Sequence, residues 1–147
     1  MKGYLNRPDA TADTIDDEGY LHTGDVGYVN KLGFLSVIDR VKELIKYNGL
    51  QVAPAELEAL LLTNDQIDDA AVIGIPEEGV GELPKGFIVR KAGSKITGPE
   101  VQEFIAKRVS PHKKLRLIEF IDIIPKSASG KILRRELRDR EKQRSKL

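Results

Sequence analysis

The sequence predicts an α+β fold: a small sheet with packed helices, preceded by an N-terminal β/loop segment. Three observations carry this. Asn48-Gly49 lies between two β-type runs, and both residues of a tight hairpin turn must accept positive φ. Apolar residues recur at helical spacing in two places, Leu57, Leu60 and Leu61, then Val101, Phe104, Ile105 and Val109. Between and after them come short apolar runs at 70–76, 86–90 and 115–125 that suit strands.

In chain order, residues 1–33 read as loop and short strand, since R-P-D-A-T-A-D-T is polar and broken and Gly19, Gly24, Gly27 and Gly33 punctuate the rest. Phe34, Val37 and Ile38 begin a strand that meets Asp39 and Arg40 and resumes before Asn48. Alternation puts Leu44 and Lys46 on one face of that segment and Ile45 and Tyr47 on the other. Pro54 suits a first helical position, so a short amphipathic helix is expected over 54–63. A strand at 70–76 should end at Pro76, with a loop over 77–84 and a second strand at 86–90. Thr97 and Glu100 form a capping box that opens the next helix, and S-P-H-K-K at 110–114 breaks it. A third strand is expected at 115–125, then a helix that starts after Gly130 and runs through a charged tail.

At 147 residues the chain is about one domain long, enough to bury most of its apolar surface in a single core. No run approaches the roughly 18 apolar residues of a membrane span, and the N-terminus lacks the apolar stretch of a signal peptide. An intracellular protein is expected. Without cysteine, disulfide and thiolate chemistry are excluded, and His22 and His112 are too few and too far apart for a histidine-rich metal site. A net charge of +1 argues against a globally basic nucleic-acid binder.

Three stretches carry candidate chemistry. H-T-G-D at 22–25 sets Asp25 among glycines, where a carboxylate can accept both hydroxyls of a ribose; by itself it also reads as an ordinary turn aspartate. D-R-V-K-E-L-I-K-Y-N-G-L-Q-V-A-P-A-E-L-E at 39–58 holds the Asp39-Arg40 pair, and Lys46 and Gly49 beside the tight turn. From spacing alone, Asp39-Arg40 is a surface ion pair and Lys46 a solvated lysine. P-K-S-A-S-G-K-I-L-R-R-E-L at 125–137 sets Lys131 after a glycine and two serines, without the G-x-x-x-x-G-K-[ST] spacing of a phosphate loop. What Lys131 offers is a mobile cation on a flexible stem.

Together, in this order and spacing, the three stretches resemble adenylate-forming enzymes, specifically the group of 4-coumarate:CoA ligases, acyl-CoA synthetases and beetle luciferases. The resemblance spans almost the whole chain. It implies that residues 1–38 are the end of a large N-terminal AMP-binding domain and residues 39–147 the C-terminal lid domain. It implies an ATP-dependent acid:CoA ligase that converts a carboxylate to an acyl-adenylate and then an acyl-CoA, releasing pyrophosphate and AMP. ATP, CoA and Mg2+ are the implied cofactors, with Mg2+ held mainly by the N-terminal domain, whose phosphate loop and acyl pocket lie outside this chain. Asp25 and Arg40 would hold the nucleotide, and Asp39 would be the hinge. Lys131 would serve adenylation, Lys46 the thioester step, and Gly49 would let the pantetheine chain pass close to the backbone. Relatives often carry lysine where this chain has Asn48, which weakens the expected CoA phosphate contact. A luciferase-like oxygenation after adenylation, and a non-catalytic stand-alone binding module, are the alternative readings.

The tail from 134 to 147 holds seven Lys or Arg against three Asp or Glu, with alternating signs that read as a solvated helix face and no aromatics for base stacking. The last three residues, Ser145, Lys146 and Leu147, match the address read by the peroxisomal import receptor. Peroxisomal localisation is therefore expected, with the cytoplasm as the alternative.

Overall fold

A computed structural model describes residues 1–144, and the chain divides into two compact units, Met1–Lys42 and Glu43–Leu147. The expected Ser145-Lys146-Leu147 address lies outside the described residues.

In the first unit, α1 (Pro8–Ala12) is followed by an antiparallel ribbon of β1 (Asp25–Val29) and β2 (Leu35–Arg40), bulged between Val26 and Gly27. At the bulge, a Cβ on Gly27 would lie 2.6 Å from the Ser36 carbonyl oxygen, which only glycine avoids. The stretch read as loop thus contains a helix. Pro8 begins it with a preset φ, Asp9 favours its first turn, and the Arg7–Asp9 ion pair at 2.7 Å ties it down. No residue of this unit is buried, and Tyr28, Val29, Phe34, Leu35 and Val37 are all exposed. The ribbon has no apolar core of its own.

The second unit is built on one sheet of order β4-β3-β6-β5, with β7 parallel to β6. The Asn-Gly hairpin forms as expected: β3 (Ile45–Tyr47) and β4 (Leu50–Val52) flank Asn48 at φ 48° and Gly49 at φ 76°. Then come α2 (Pro54–Leu61), β5 (Ile67–Glu77), β6 (Gly81–Arg90), α3 (Gly98–Ala106), a 3-10 turn at Pro111–Lys113, β7 (Leu117–Phe120) and α4 (Arg134–Arg144). The capping box on α3 is present, with Glu100 Oε2 accepting from both the Thr97 N–H and the Thr97 hydroxyl.

Both sheet faces are covered. Ala70, Val72 and Ile88 join Leu57, Leu61, Val101 and Ile105 from α2 and α3 on one side, while Ala71, Ile73 and Phe87 join Ile124 and Leu137 of α4 on the other. This is why A-A-V-I-G-I reads as a continuous apolar run and not as an alternation.

Two strand boundaries differ from expectation. The segment at 77–84, expected as loop, is mostly ladder: β5 runs through Pro76, β6 starts at Gly81, and only Glu78, Gly79 and Val80 turn the chain. Proline reads as a breaker, yet in an antiparallel ladder only alternate residues must donate to a given neighbour. Pro84 sits opposite Gly74, and its carbonyl accepts the Arg116 N–H at 2.8 Å. The third strand is shorter than expected, four residues in place of eleven, because it pairs only with Lys85 to Ile88 of β6.

The tail helix also departs from a purely solvated reading. Leu137 is buried, and the charged residues reach back to the body of the unit: Arg134 to Glu58 at 2.7 Å, Arg138 to Glu43 at 2.6 Å, and Arg140 to Glu119 at 2.9 Å. Glu141 takes the Lys85 ammonium at 2.7 Å. Lys85 is 7% exposed, lies 4.9 Å from the centre of the Phe87 ring and bonds Glu119 at 2.8 Å. With one buried apolar residue in α4, periodicity carried little signal, and the partners lie far away in the chain.

Burial pushes the Glu119 carboxyl up, but Lys85, with Arg144 and Arg140 beside it, outweighs burial and holds it below its ordinary 4.5. A depressed folded-state value contributes stability above the unfolded value that is lost as pH falls through the folded one. Denaturant titrations should therefore show stability dropping as pH goes below about 4.5. Glu119→Gln should flatten that drop and cost roughly 1–3 kcal/mol at pH 7.

Candidate functional site

In the first unit, the ladder places Asp25 at the start of β1 directly opposite Arg40 at the end of β2. Their side chains meet, Arg40 Nε lying 3.4 Å from Asp25 Oδ1, and both stay open to solvent, with the arginine 60% exposed and the aspartate 33%. The Asp25 N–H donates to Thr23 Oγ1 at 3.2 Å, so H-T-G-D is an organised turn. Its His22 pairs instead with Asp16, at 2.8 Å. A guanidinium with free donors beside a carboxylate with a free edge suits a polyol carrying an anion. Asp39 lies inside β2 opposite Val26, and its Oδ1 accepts the Arg40 N–H at 2.8 Å.

The second unit presents two cations on two separate hairpins. Lys46 stands at the centre of β3, exposed, between buried Ile45 and half-buried Tyr47. Its backbone is fixed, because its N–H donates to Glu82 Oε2 at 2.9 Å and its strand meets β6 at Gly81. At the tip of the hairpin, a Cβ on Gly49 would touch nothing within 4 Å, so the space over that backbone is open.

Lys131 sits on a hairpin of its own, closed by the Lys126–Ile132 bridge, with Gly130 at φ 80°. Ser127 Oγ accepts the Lys131 N–H at 3.2 Å and lies 2.9 Å from Ser129 Oγ. The helix expected to start after Gly130 begins at Arg134, so Lys131 stands before it on the bridge and not in its first turn. Among the described residues, neither the Lys46 nor the Lys131 ammonium is engaged in an ion pair, and both side chains are exposed.

The two lysines are far apart along the β5–β6 ribbon. Lys46 adjoins Gly81 and Glu82, opposite the Pro76 and Glu77 end of β5. The Lys131 hairpin is tied through Lys126 to Asp69, near the other end of β5. Eight residues of strand separate Asp69 from Glu77, roughly 25 Å. The structure therefore brings Asp25 and Arg40 together and anchors the Lys46 and Lys131 hairpins near opposite ends of the ribbon.

The supporting acids Glu58, Asp69 and Glu82 were not singled out from the sequence. For Glu58 a signal existed, since it falls inside the Leu57–Leu61 stripe of α2, where a buried carboxylate demands a partner. Among the described residues, no three His, Cys, Asp or Glu side chains converge to hold a metal ion.

Residues 56–131 match the family model of the AMP-binding enzyme C-terminal domain. Over 138 residues the chain is 58% identical to a 4-coumarate–CoA ligase 2 of Nicotiana tabacum, covering 94% of this chain and 26% of that protein. It is 54% identical over 137 residues to the peroxisomal OPC-8:0-CoA ligase 1 of Arabidopsis thaliana, covering 93% and 25%. The chain thus spans about a quarter of the length of the curated relatives it matches. Among solved structures it resembles ATP-bound MatB from Rhodopseudomonas palustris, with TM-score 0.88 and 28% identity over 95% of this chain and 28% of that one. It also resembles o-succinylbenzoate CoA synthetase (MenE) from Bacillus subtilis in complex with the acyl-adenylate intermediate OSB-AMP, with TM-score 0.85 and 33% identity over 95% and 28%.

The close approach of β3 to β6 gives a direct test of how Lys46 is held. A Cβ on Gly81, at φ 89°, would lie 2.7 Å from the Lys46 carbonyl oxygen, whereas one on Gly49 meets only the strain of positive φ. Gly49→Ala should cost about 1–2 kcal/mol in urea unfolding. Gly81→Ala should cost more and weaken protection of the β3 amides from hydrogen exchange, which Gly49→Ala leaves in place.

Proposed function

This chain belongs to the family of AMP-binding enzyme C-terminal domains, and we propose that it is the carboxyl-terminal part of an ATP-dependent acid:CoA ligase. Two steps make up the reaction. The substrate carboxylate attacks the α-phosphorus of ATP and pyrophosphate leaves, giving the acyl-adenylate. The CoA thiol, losing its proton, then attacks the acyl carbonyl, and AMP leaves with the bonding pair of the broken mixed-anhydride bond.

Both steps put charge where a positioned cation lowers the barrier, the first most strongly because an anion attacks an anion. Lys131 fits the adenylation step: its side chain stands exposed on a braced hairpin and has no ion-pair partner among the described residues. Lys46 fits the thioester step, beside the open backbone of Gly49 that a pantetheine arm can pass. The observation that carries the reading is the attachment of these two hairpins near opposite ends of the β5–β6 ribbon, which lets a rigid lid present one at a time. Turning at Asp39 would exchange them, a rotation of the gating kind that lids perform. Asp25 and Arg40 take the ribose and phosphate side of the nucleotide, the carboxylate accepting from hydroxyls and the guanidinium donating to phosphate oxygens.

Magnesium accompanies ATP in this reading and is held mainly by the family's N-terminal domain. Among the described residues, no three acidic or histidine side chains converge to hold it. Membership of the acyl-CoA ligase group is supported by the curated relatives and the solved neighbours in common. Peroxisomal import is supported by Ser145-Lys146-Leu147 and by the name of one relative.

In the full-length enzyme, with 4-coumarate as the first acid assayed, Lys131→Ala should slow pyrophosphate release by about 10²–10³-fold. The same variant should leave thioester formation from a supplied acyl-adenylate within about threefold. Lys46→Ala should show the converse, and equal losses in both steps for either variant would refute the division of labour. The chain of residues 1–147 alone should release no pyrophosphate. A fluorescent protein ending in this chain should accumulate in peroxisomes, and deletion of Ser145 to Leu147 should leave it in the cytosol.

A further inference from the structure

The hairpin that carries Lys131 is pinned on both sides to the same strand. Before it, Lys126 Nζ meets Asp69 Oδ2 at 2.5 Å. After it, Arg134 donates to Glu58 Oε2 at 2.7 Å, and Glu58 Oε1 accepts the Val72 N–H at 2.8 Å. Asp69 and Val72 stand three residues apart on β5, so both clamps bear on roughly 10 Å of strand. Between them the hairpin closes on itself. Ser127 N–H donates to the Lys131 carbonyl and Gly130 N–H to the Ser127 carbonyl, each at 2.9 Å, and Leu133 N–H donates to the Pro125 carbonyl at 2.8 Å.

The two clamps differ in kind. Arg134 and Glu58 are nearly buried, with side chains 11% and 9% exposed, and belong to the packing of α2 and α4. Lys126 and Asp69 are 36% and 23% exposed, and a pair that open to water adds little to stability. What such a pair can do is select one orientation for a short loop whose exposed tip, 128–131, extends beyond the bridge where Ile132 packs against the core.

We propose that Asp69 is a positioning residue for Lys131: by holding Lys126 it sets the direction in which the Lys131 hairpin leaves the sheet. The inference rests on the adenylation role of Lys131 proposed above. Lys46 is outside the reach of this brace, because its strand is held by Gly81 and Glu82 at the far end of the ribbon. A defect at Asp69 therefore falls on one half-reaction and spares the other, which general destabilisation does not do.

The test is Asp69→Asn. Asparagine keeps an Oδ1 acceptor for the Ala70 N–H, bonded at 2.9 Å, and removes the charge that faces Lys126. In the full-length ligase, adenylation should slow about tenfold while thioester formation from a supplied acyl-adenylate stays within about twofold, since misplacement of a catalytic group by about 1 Å suffices for such a loss. In a Lys131→Ala background the same substitution should cost nothing further, because the two act as one unit. In the chain of residues 1–147, hydrogen exchange of the 127–133 segment should quicken about tenfold while α2 and β3 keep their protection. Equal losses in both half-reactions, no loss in either, additivity with Lys131→Ala, or unchanged exchange would each overturn the proposal. Should the unaltered full-length protein release no pyrophosphate, the ligase reading falls, while the exchange measurement still decides whether Asp69 braces the hairpin.

Discussion

The second unit depends on the pairing of β5 with β6, an antiparallel ribbon of eleven and ten residues in register from Asp69 opposite Val89 to Glu77 opposite Gly81. The rest of the unit is arranged around it: β3 touches it through Tyr47 and Gly81 and carries β4, β7 lies parallel to its middle, and α2 and α4 cover its two sides. The length of the ribbon sets how far apart the elements attached at its two ends stand. A strand rises about 3.3 Å per residue, so the two ends of a ribbon this long lie well beyond the reach of any single side chain.

Covering both faces has an electrostatic consequence. Lys85 alternates onto the α4 side of β6, and Glu58 comes from α2 into the interior, so each brings a charge out of water. Removing a charge from water costs several kcal/mol unless partners replace the solvent. Glu119 and Glu141 do this for Lys85, and Arg134 with the Val72 amide does it for Glu58. These requirements draw α4 down along the sheet, although Leu137 is its one buried residue. The Lys131 hairpin lies directly before α4 in the chain, so docking the helix also holds the exit from that hairpin.

The two candidate cations gain nothing from the interior, and their backbones are where the order lies. Lys46 and Lys131 keep their ammoniums in water while Glu82 and Ser127 fix the amides beneath them. A rigid base under a flexible, hydrated stem suits a group that must meet an anion and then withdraw. The first unit has the opposite character, with an ordered Asp25–Arg40 pair on a ribbon that buries no side chain completely.

Local chemistry was legible in the sequence wherever one residue type answers one backbone need. Asn48-Gly49 forces a tight hairpin through positive φ, Thr97 and Glu100 satisfy the exposed amides of a helix start, and Pro54 opens α2. The three motif stretches pointed to the family for the same reason, since their chemistry lies in contiguous residues. Legibility ended where partners are distant: nothing near Pro76 or Pro84 in the chain says that the ladder passes through both, and nothing near Arg134, Arg138 or Arg140 names Glu58, Glu43 or Glu119. The sequence by itself determined the turns, the caps and the identities of the exposed cations, because those depend on neighbours a few bonds away. Only the tertiary structure decided that the Lys46 and Lys131 hairpins attach near opposite ends of one ribbon and that Asp69 meets Lys126, because strand length and pairing, and not chain order, set which side chains meet.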